Sequence, residues 1–256
     1  MKILFIADIH SGKDANYLEC GGKDYVNTFG SQFEQYLDKI HLLEKEHNLT
    51  INLGDLIYNT DHEDDLLLFK KEEKLLEGDV PLAHVLGNHD FRYLFKNQLS
   101  KTINKENTYY SFDLGNYHHI VLDSFQGSKI LPGNISHGQI LWLKEDLEKT
   151  NLSTLVYTHY PIDNQLLDNN YYFKNEPEKA FCQNKEEIRG ILESSKKVLA
   201  VFCGHLHFYN QEKINGILYT TVPSFTENDG YGKPKAECLS LDLENNKINI
   251  LIKKLN

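Results

Sequence analysis

Apolar and amphipathic stretches alternate over residues 2 to 90, and this order limits the chain more than any other feature. Lys2 to Ala7 is a β-rich apolar run, and "LTINLGD" (49–55) and "VPLAHVLGNHD" (80–90) are two more. Between the first two, Phe33, Tyr36, Leu37, Ile40 and Leu43 recur at spacings of three and four, which predicts a helix from about Phe29 to His47. Between the second and third, "HEDDLLLFKKEEKLL" (62–76) predicts a helix with acidic residues in its first turn, where the helix dipole favours them. Strand, helix, strand, helix, strand implies a parallel sheet with right-handed crossovers. Such sheets bind ligands at the carboxyl ends of their strands.

The rest of the chain adds a second set of strands. "NTYYSFDLGNYHHIVLDS" predicts a hairpin turning at Gly115-Asn116. "SHGQILWLKEDLEKT" predicts a helix capped by Ser136, with Gln139 completing a capping box. "LSTLVYTHYP" and "VLAVFCGHLH" read as buried strands, with a helix from about Lys185 to Ser194 between them. "NGILYTTVPS", "AECLSLDL" and "KINILIKK" read as antiparallel strands. No repeat, low-complexity tract or linker divides the sequence, so residues 1–256 are expected to form one domain, with two sheets face to face and helices outside.

Composition narrows the function. The formal net charge is −10 and the only arginines are Arg92 and Arg189, which argues against a general grip on nucleic acid. A small anionic substrate is still admissible, because a metal can supply local positive charge. Cys20, Cys182, Cys203 and Cys238 are scattered without a CxxC pair and read as reduced thiols, with Cys203 in the core. Asp8 interrupts the apolar start, and no segment reaches transmembrane length, so a cytoplasmic protein without a membrane partner is expected.

The strand ends carry the chemistry. The first strand ends in Asp8 and His10, the second in Gly54-Asp55, the third in Gly87-Asn88-His89-Asp90, and later ones in His159 and in Gly204-His205-Leu206-His207. Two histidines one residue apart could by themselves be polar loop residues, but five strands delivering carboxylate, carboxamide or imidazole at one edge fit a polynuclear metal site. Two divalent cations a few ångströms apart repel unless an anionic ligand lies between them. A carboxylate on a rigid strand end can bridge both, and this mixed oxygen and nitrogen donor set suits Mn, Fe or Zn. Gly54, Gly87 and Gly204 are expected to let the backbone turn sharply into the site.

Asp8-x-His10, Gly54-Asp55, "GNHD", His159 and "GHLH", met in that order from residue 8 to residue 207, resemble the calcineurin-like metallophosphoesterase superfamily. The resemblance implies an α/β fold, a four-layer α/β/β/α sandwich of two mixed sheets flanked by helices, and a centre of two divalent metal ions. Carried over by motif, Asp8, His10, Asp55 and His207 would hold one metal, and Asp55, Asn88, His159 and His205 the other. Hydrolysis of a phosphate ester would then proceed by in-line attack of a metal-bridging hydroxide. By the same resemblance His89 would contact the phosphoryl group or protonate the leaving oxygen, with Asp90 orienting it. "GNHDFR" is similar to the form common among phosphodiesterase-like members acting on cyclic nucleotides and glycerophosphodiesters, so Arg92 would meet a phosphate oxygen; a salt bridge is its other reading.

Two departures narrow the class. Protein phosphatases resembling calcineurin carry GDxVDRG, whereas this chain has "GDLIYNT", with Tyr58 and Asn59 where Asp and Arg would stand. Nuclease members present a basic path, which "DHEDD" at 61–65 does not offer. The expected substrate is therefore a small phosphodiester or phosphomonoester, with a Ser/Thr protein phosphatase or a nuclease as alternatives and a non-catalytic scaffold as the remote one. Its recognition is expected in loops 11–26 and 160–180. Tyr171 and Tyr172, with Tyr17 and Tyr160, would line the pocket there, or else pin the loop to the body or make a dimer contact. The remaining histidines, His41, His47, His62, His84, His118, His119 and His137, lack a ligand-spaced partner and read as structural.

Overall fold

The computed structural model describes residues 1–16, 25–59, 62–125 and 133–256. Its elements, in chain order, are β1 (Lys2–Ile6), β2 (Asp14–Ala15), β3 (Thr28–Phe29), α1 (Leu37–Glu44), β4 (Leu49–Asn52), α2 (His62–Leu76), β5 (Leu82–His84), α3 (Lys96–Thr102), β6 (Tyr110–Leu114), β7 (Tyr117–Val121), α4 (His137–Lys149), β8 (Ser153–Tyr157), α5 (Lys185–Ser195), β9 (Val198–Cys203), β10 (Asn210–Ile214), β11 (Ile217–Thr221), β12 (Glu237–Glu244) and β13 (Lys247–Lys254). One sheet has the order β13-β12-β1-β4-β5 and the other β10-β11-β9-β8-β7-β6. Both are mixed: β1, β4 and β5 run parallel, as do β7, β8, β9 and β11, with antiparallel strands outside them.

Side-chain alternation explains why the central strands are apolar throughout. In β1, Ile3 and Phe5 face the other sheet, while Leu4 and Ile6 face the helices. In β9, Ala200 and Phe202 face the first sheet, while Val198 and Val201 join the core with Leu143, Leu147, Ile188 and Leu192 from α4 and α5. Strands buried on both faces read as continuous hydrophobic runs. Phe5 and Phe202 stack across the sandwich with ring centroids 4.3 Å apart. Three apolar layers thus separate four layers of secondary structure, the expected α/β/β/α sandwich.

Several local expectations are corrected. Gly30–Tyr36 forms a 3-10 helix, so the α-helix begins only at Leu37. Ser136 does accept a hydrogen bond from the Gln139 N–H at 3.2 Å. The Gln139 side chain does not close the box, because it pairs instead with both backbone groups of Asp123, at 2.9 and 2.7 Å. β11 runs parallel to β9; its antiparallel partner is the polar strand β10, which has no apolar run to announce it. Cys182, Cys203 and Cys238 are free and buried, whereas Cys20 and Tyr17 lie outside the described residues. Among the described residues, no helix is long and apolar enough to cross a membrane.

Candidate metal centre

Parallel pairing brings the ends of β1, β4, β5, β8 and β9 to one edge of the sandwich. The Asp8 N–H reaches the Gly54 carbonyl at 3.1 Å and the His10 N–H the Asp55 carbonyl at 2.9 Å, so the ends of β1 and β4 stay side by side past the last ladder pairs. The two sheets are joined here as well: the Asp8 carboxylate accepts the His205 N–H, 3.0 Å from each oxygen. Asp8, His10, Asp55, His205 and His207 all have positive φ, between 49° and 69°. A side chain other than glycine in this region costs of order 1–3 kcal/mol and persists only where surrounding structure enforces it.

The strand-end glycines act in two ways. Gly54 has φ +97°, as the expected sharp turn requires. Gly87 and Gly204 serve by lacking a side chain: a Cβ would lie 2.1 Å from Asp55 Oδ1 at Gly87 and 2.6 Å from Asp8 Oδ2 at Gly204.

Three sets of side chains converge, with donor atoms within 4.8 Å of one another: Asp8, His10 and His207; His10, Asp55 and His89; Asp55, His159 and His205. His10 Nε2 lies 3.1 Å from His207 Nε2 and 3.8 Å from Asp55 Oδ2. On the other side of Asp55, Oδ2 is 3.4 Å from His159 Nε2, which is 3.2 Å from Asn88 Oδ1. The outward ring nitrogens of three of these histidines are engaged elsewhere. His159 Nδ1 donates to the Leu53 carbonyl at 2.9 Å, His205 Nε2 to the Lys179 carbonyl at 3.0 Å and His207 Nδ1 to Glu227 Oε2 at 2.9 Å. An imidazole whose N–H is fixed from behind presents its other nitrogen as a lone pair, which is how metal-ligating histidines are oriented.

The electrostatics fit a cation. Burial holds His10 and His205 down at about 3 and His207 well below its ordinary value, so these rings are neutral, the form that binds metal. Burial pushes Asp8 up to about 8, helped by the neighbouring Asp55 charge. Burial acts on Asp55 in the same sense but is outweighed by His159, His89 and His10, which hold it well below the usual carboxylate range. Burial pulls His159 down, yet Asp55 and Asp8 together raise it to about 9. Without a cation, two buried carboxylates among five histidines compete for protons. The donor set resolves that competition when a cation binds.

The other expected residues divide. His89 sits beside the convergence point, its ring 4.8 Å from that of His10 and its backbone N–H donating to Asp55 Oδ1 at 2.8 Å. Asp90 does not orient it. The fully buried Asp90 carboxylate accepts backbone N–H groups from Gly87 at 2.9 Å, Asp55 at 3.0 Å, Leu56 at 3.0 Å and Ile57 at 3.4 Å. It clamps two strand ends together, and its shape, two oxygens meeting four donors, leaves nothing for a ring nitrogen. Arg92 is exposed and, among the described residues, makes no ion pair; its charge helps hold the His89 pKa down. Asn59 donates to the His89 carbonyl at 2.5 Å and to Asp65 at 3.1 Å.

The tyrosines stand behind the site. The Tyr160 ring is buried 4.0 Å from that of His205. Tyr171 and Tyr172 stack on each other at 4.5 Å and direct both hydroxyls to the Glu227 carboxylate, pinning the loop to the body. Glu227, buried and bonded to His207, is a residue that sequence reasoning missed: "SFTEND" has no metal-ligand spacing.

A match to the calcineurin-like phosphoesterase family spans residues 1–209. The chain belongs to that family. It is 30% identical over 193 residues to a protein of Arcobacter nitrofigilis named "Probable glycerophosphodiester phosphodiesterase GpdQ", a match covering 72% of this chain and 66% of the relative. It is 25% identical over 216 residues to a protein of Fibrobacter succinogenes named as a probable cyclic nucleotide phosphodiesterase, covering 81% and 73%. The chain thus spans slightly less than two thirds of the first relative's length and almost three quarters of the second's. In fold it is similar to a dimetal phosphatase from Danio rerio, with a TM-score of 0.77 at 17% identity over 100% of this chain and 96% of that one.

Proposed function

We propose that residues 1–256 form one catalytic domain that hydrolyses a small phosphodiester at a centre of two divalent ions, Mn, Fe or Zn. The observation that carries this reading is the position of Asp55, whose Oδ2 lies between His10 Nε2 at 3.8 Å and His159 Nε2 at 3.4 Å, as a bridging carboxylate must. Asp8, His10, Asp55 and His207 would hold one ion, and Asp55, Asn88, His159 and His205 the other. When bound, such a pair neutralises phosphoryl oxygens and lowers the pKa of water to make a nucleophile at neutral pH.

The chain's own residues do the rest. Burial lowers the His89 pKa, so the ring is neutral and offers an N–H to a phosphoryl oxygen; contact is favoured over proton donation. Its Nδ1 is buried without a hydrogen-bond partner among the described residues. Arg92, exposed and unpaired among the described residues, is free to meet a second phosphoryl oxygen with its planar guanidinium. Two relatives named for phosphodiesters, glycerophosphodiester and cyclic nucleotide, support a diester, and the net charge of −10 disfavours a nucleic-acid substrate. Three free, buried thiols support a cytoplasmic place.

The test is a metal-free preparation reconstituted with Mn, Fe, Zn or Mg and assayed in parallel on bis(p-nitrophenyl) phosphate and p-nitrophenyl phosphate. Faster turnover of the diester is expected. Preference for the monoester would move the assignment to a phosphatase, and no turnover with both ions bound would indicate a scaffold.

A further inference from the structure

The segment Ser224–Glu227 runs behind one half of the centre, and among the described residues its hydrogen bonds to the centre all go to that half. The Phe225 N–H donates to the Ala7 carbonyl at 2.9 Å, the Ser224 hydroxyl to the Asp8 carbonyl at 2.8 Å and the Thr226 hydroxyl to the Ile9 carbonyl at 2.8 Å. The Ser224 N–H reaches the His207 carbonyl at 3.0 Å, and Glu227 Oε2 takes His207 Nδ1 at 2.9 Å. The backbone at Ala7–Ile9, which leads into His10, and His207 are thus framed from behind by four consecutive, fully buried residues. Asp55, Asn88, His159 and His205 are held by other elements.

Glu227 is rigid at both ends. Its backbone pairs with Thr28, and its carbonyl accepts the Lys235 N–H at 2.7 Å. Its carboxylate is held by Tyr171 on Oε1 and by Tyr172, at 3.1 Å, on Oε2. Tyr172 also lays its ring edge-on to His207 with centroids 4.7 Å apart. Asn170, next to this pair, donates to the Leu206 carbonyl at 2.9 Å, tying the same loop to the loop that carries both histidines.

We propose that Glu227 is the positioning residue for the metal half made by Asp8, His10 and His207, and that Tyr171 and Tyr172 hold its carboxylate against His207. The inference rests on the two-metal reading above. The carboxylate fixes which ring nitrogen of His207 carries the proton and the plane in which the other points, as outer carboxylates do for ligating histidines. The Tyr171–Tyr172 pair thereby serves metal order at one of two sites, and both hydroxyls are committed to Glu227 before any substrate arrives.

The experiment is metal binding to the full chain, read without turnover: Mn titrated into metal-free wild type, Glu227→Gln, Glu227→Ala and the Tyr171→Phe/Tyr172→Phe pair, against a competing chelator. Wild type should take up two ions. Glu227→Ala should weaken one site about 10- to 100-fold and leave the other within about threefold. Glu227→Gln, which keeps an acceptor for the ring N–H, should fall between it and wild type, and the tyrosine pair should shift the same site by a smaller factor. Two unchanged sites in Glu227→Gln and Glu227→Ala would overturn the proposal. So would equal weakening of both sites in Glu227→Gln, or loss of both together with a fall in the melting temperature of that metal-free variant, which would make Glu227 a general packing residue. Wild type that binds no ion would instead refute the underlying metal reading.

Discussion

Asp90→Asn separates the clamp seen in the structure from the orienting role that the motif suggests. The substitution keeps shape and volume but turns one oxygen into an amide NH₂. Each Asp90 oxygen serves two buried backbone donors: Oδ2 takes Asp55 and Gly87 at 3.0 and 2.9 Å, and Oδ1 takes Leu56 and Ile57 at 3.0 and 3.4 Å. Whichever oxygen is lost, two N–H groups then face a donor. An unsatisfied buried donor costs about 1–3 kcal/mol, so the variant should lose about 2–6 kcal/mol. Against a total stability of about 5–15 kcal/mol, that is a large fraction. Urea unfolding of the metal-free protein is the assay, because bound ions would add stability by mass action and mask the loss. With a slope of about 3 kcal/mol per molar urea, the midpoint should fall by about 0.7–2 M. A midpoint within about 0.2 M of wild type, together with a hundredfold loss of turnover in the reconstituted enzyme, would refute the clamp and restore Asp90 as a partner of His89.

Three further substitutions probe separate parts of the account. His89→Asn should lower turnover by about 10²–10⁴-fold while metal content by elemental analysis stays at the wild-type value; loss of metal would make His89 a ligand. Arg92→Ala, at a position that is exposed and has no ion pair among the described residues, should leave stability within about 0.5 kcal/mol. It should cut kcat/KM for the diester by roughly 10- to 100-fold, the value of one charge-assisted hydrogen bond; unchanged kinetics would remove Arg92 from the site. His118→Gln tests a partly buried ion pair outside the centre: burial pulls His118 down, but bonds to Asp146 at 2.8 Å and Asp113 at 2.6 Å raise it above 6.5, and Asp146 is lowered. A histidine with a raised folded pKa contributes stability that is full below 6.5 and lost as pH rises through the folded value, and a lowered carboxylate contributes above 3.8. The stability gap between wild type and variant should therefore be widest near pH 5–6 and shrink by pH 9; an equal gap at both would contradict the pair's role.

Much of the centre was legible because its residues follow apolar strands. Asp8, Asp55 and His159 each come directly after a run that can only be a buried strand, and parallel pairing puts all such ends at one edge. The supporting residues gave no such signal. Glu227 lies in a segment with no periodicity, and its role depends on contacts with Tyr171, Tyr172 and His207 at distant positions in the chain. Asp90 misled because adjacency to His89 suggested a side-chain partnership, whereas the turn at Gly87 folds its carboxylate back onto the backbone of Asp55. β10 was hidden for a simpler reason: an edge strand with exposed side chains needs no apolar pattern.

Whether Asp55 bridges two ions is decided by anomalous scattering from crystals of the Mn-reconstituted protein. Two peaks about 3.5–4 Å apart are expected with the Asp55 carboxylate between them, one also bound by Asp8, His10 and His207 and the other by Asn88, His159 and His205. A single peak, or two peaks of which only one touches Asp55, would contradict the bridge.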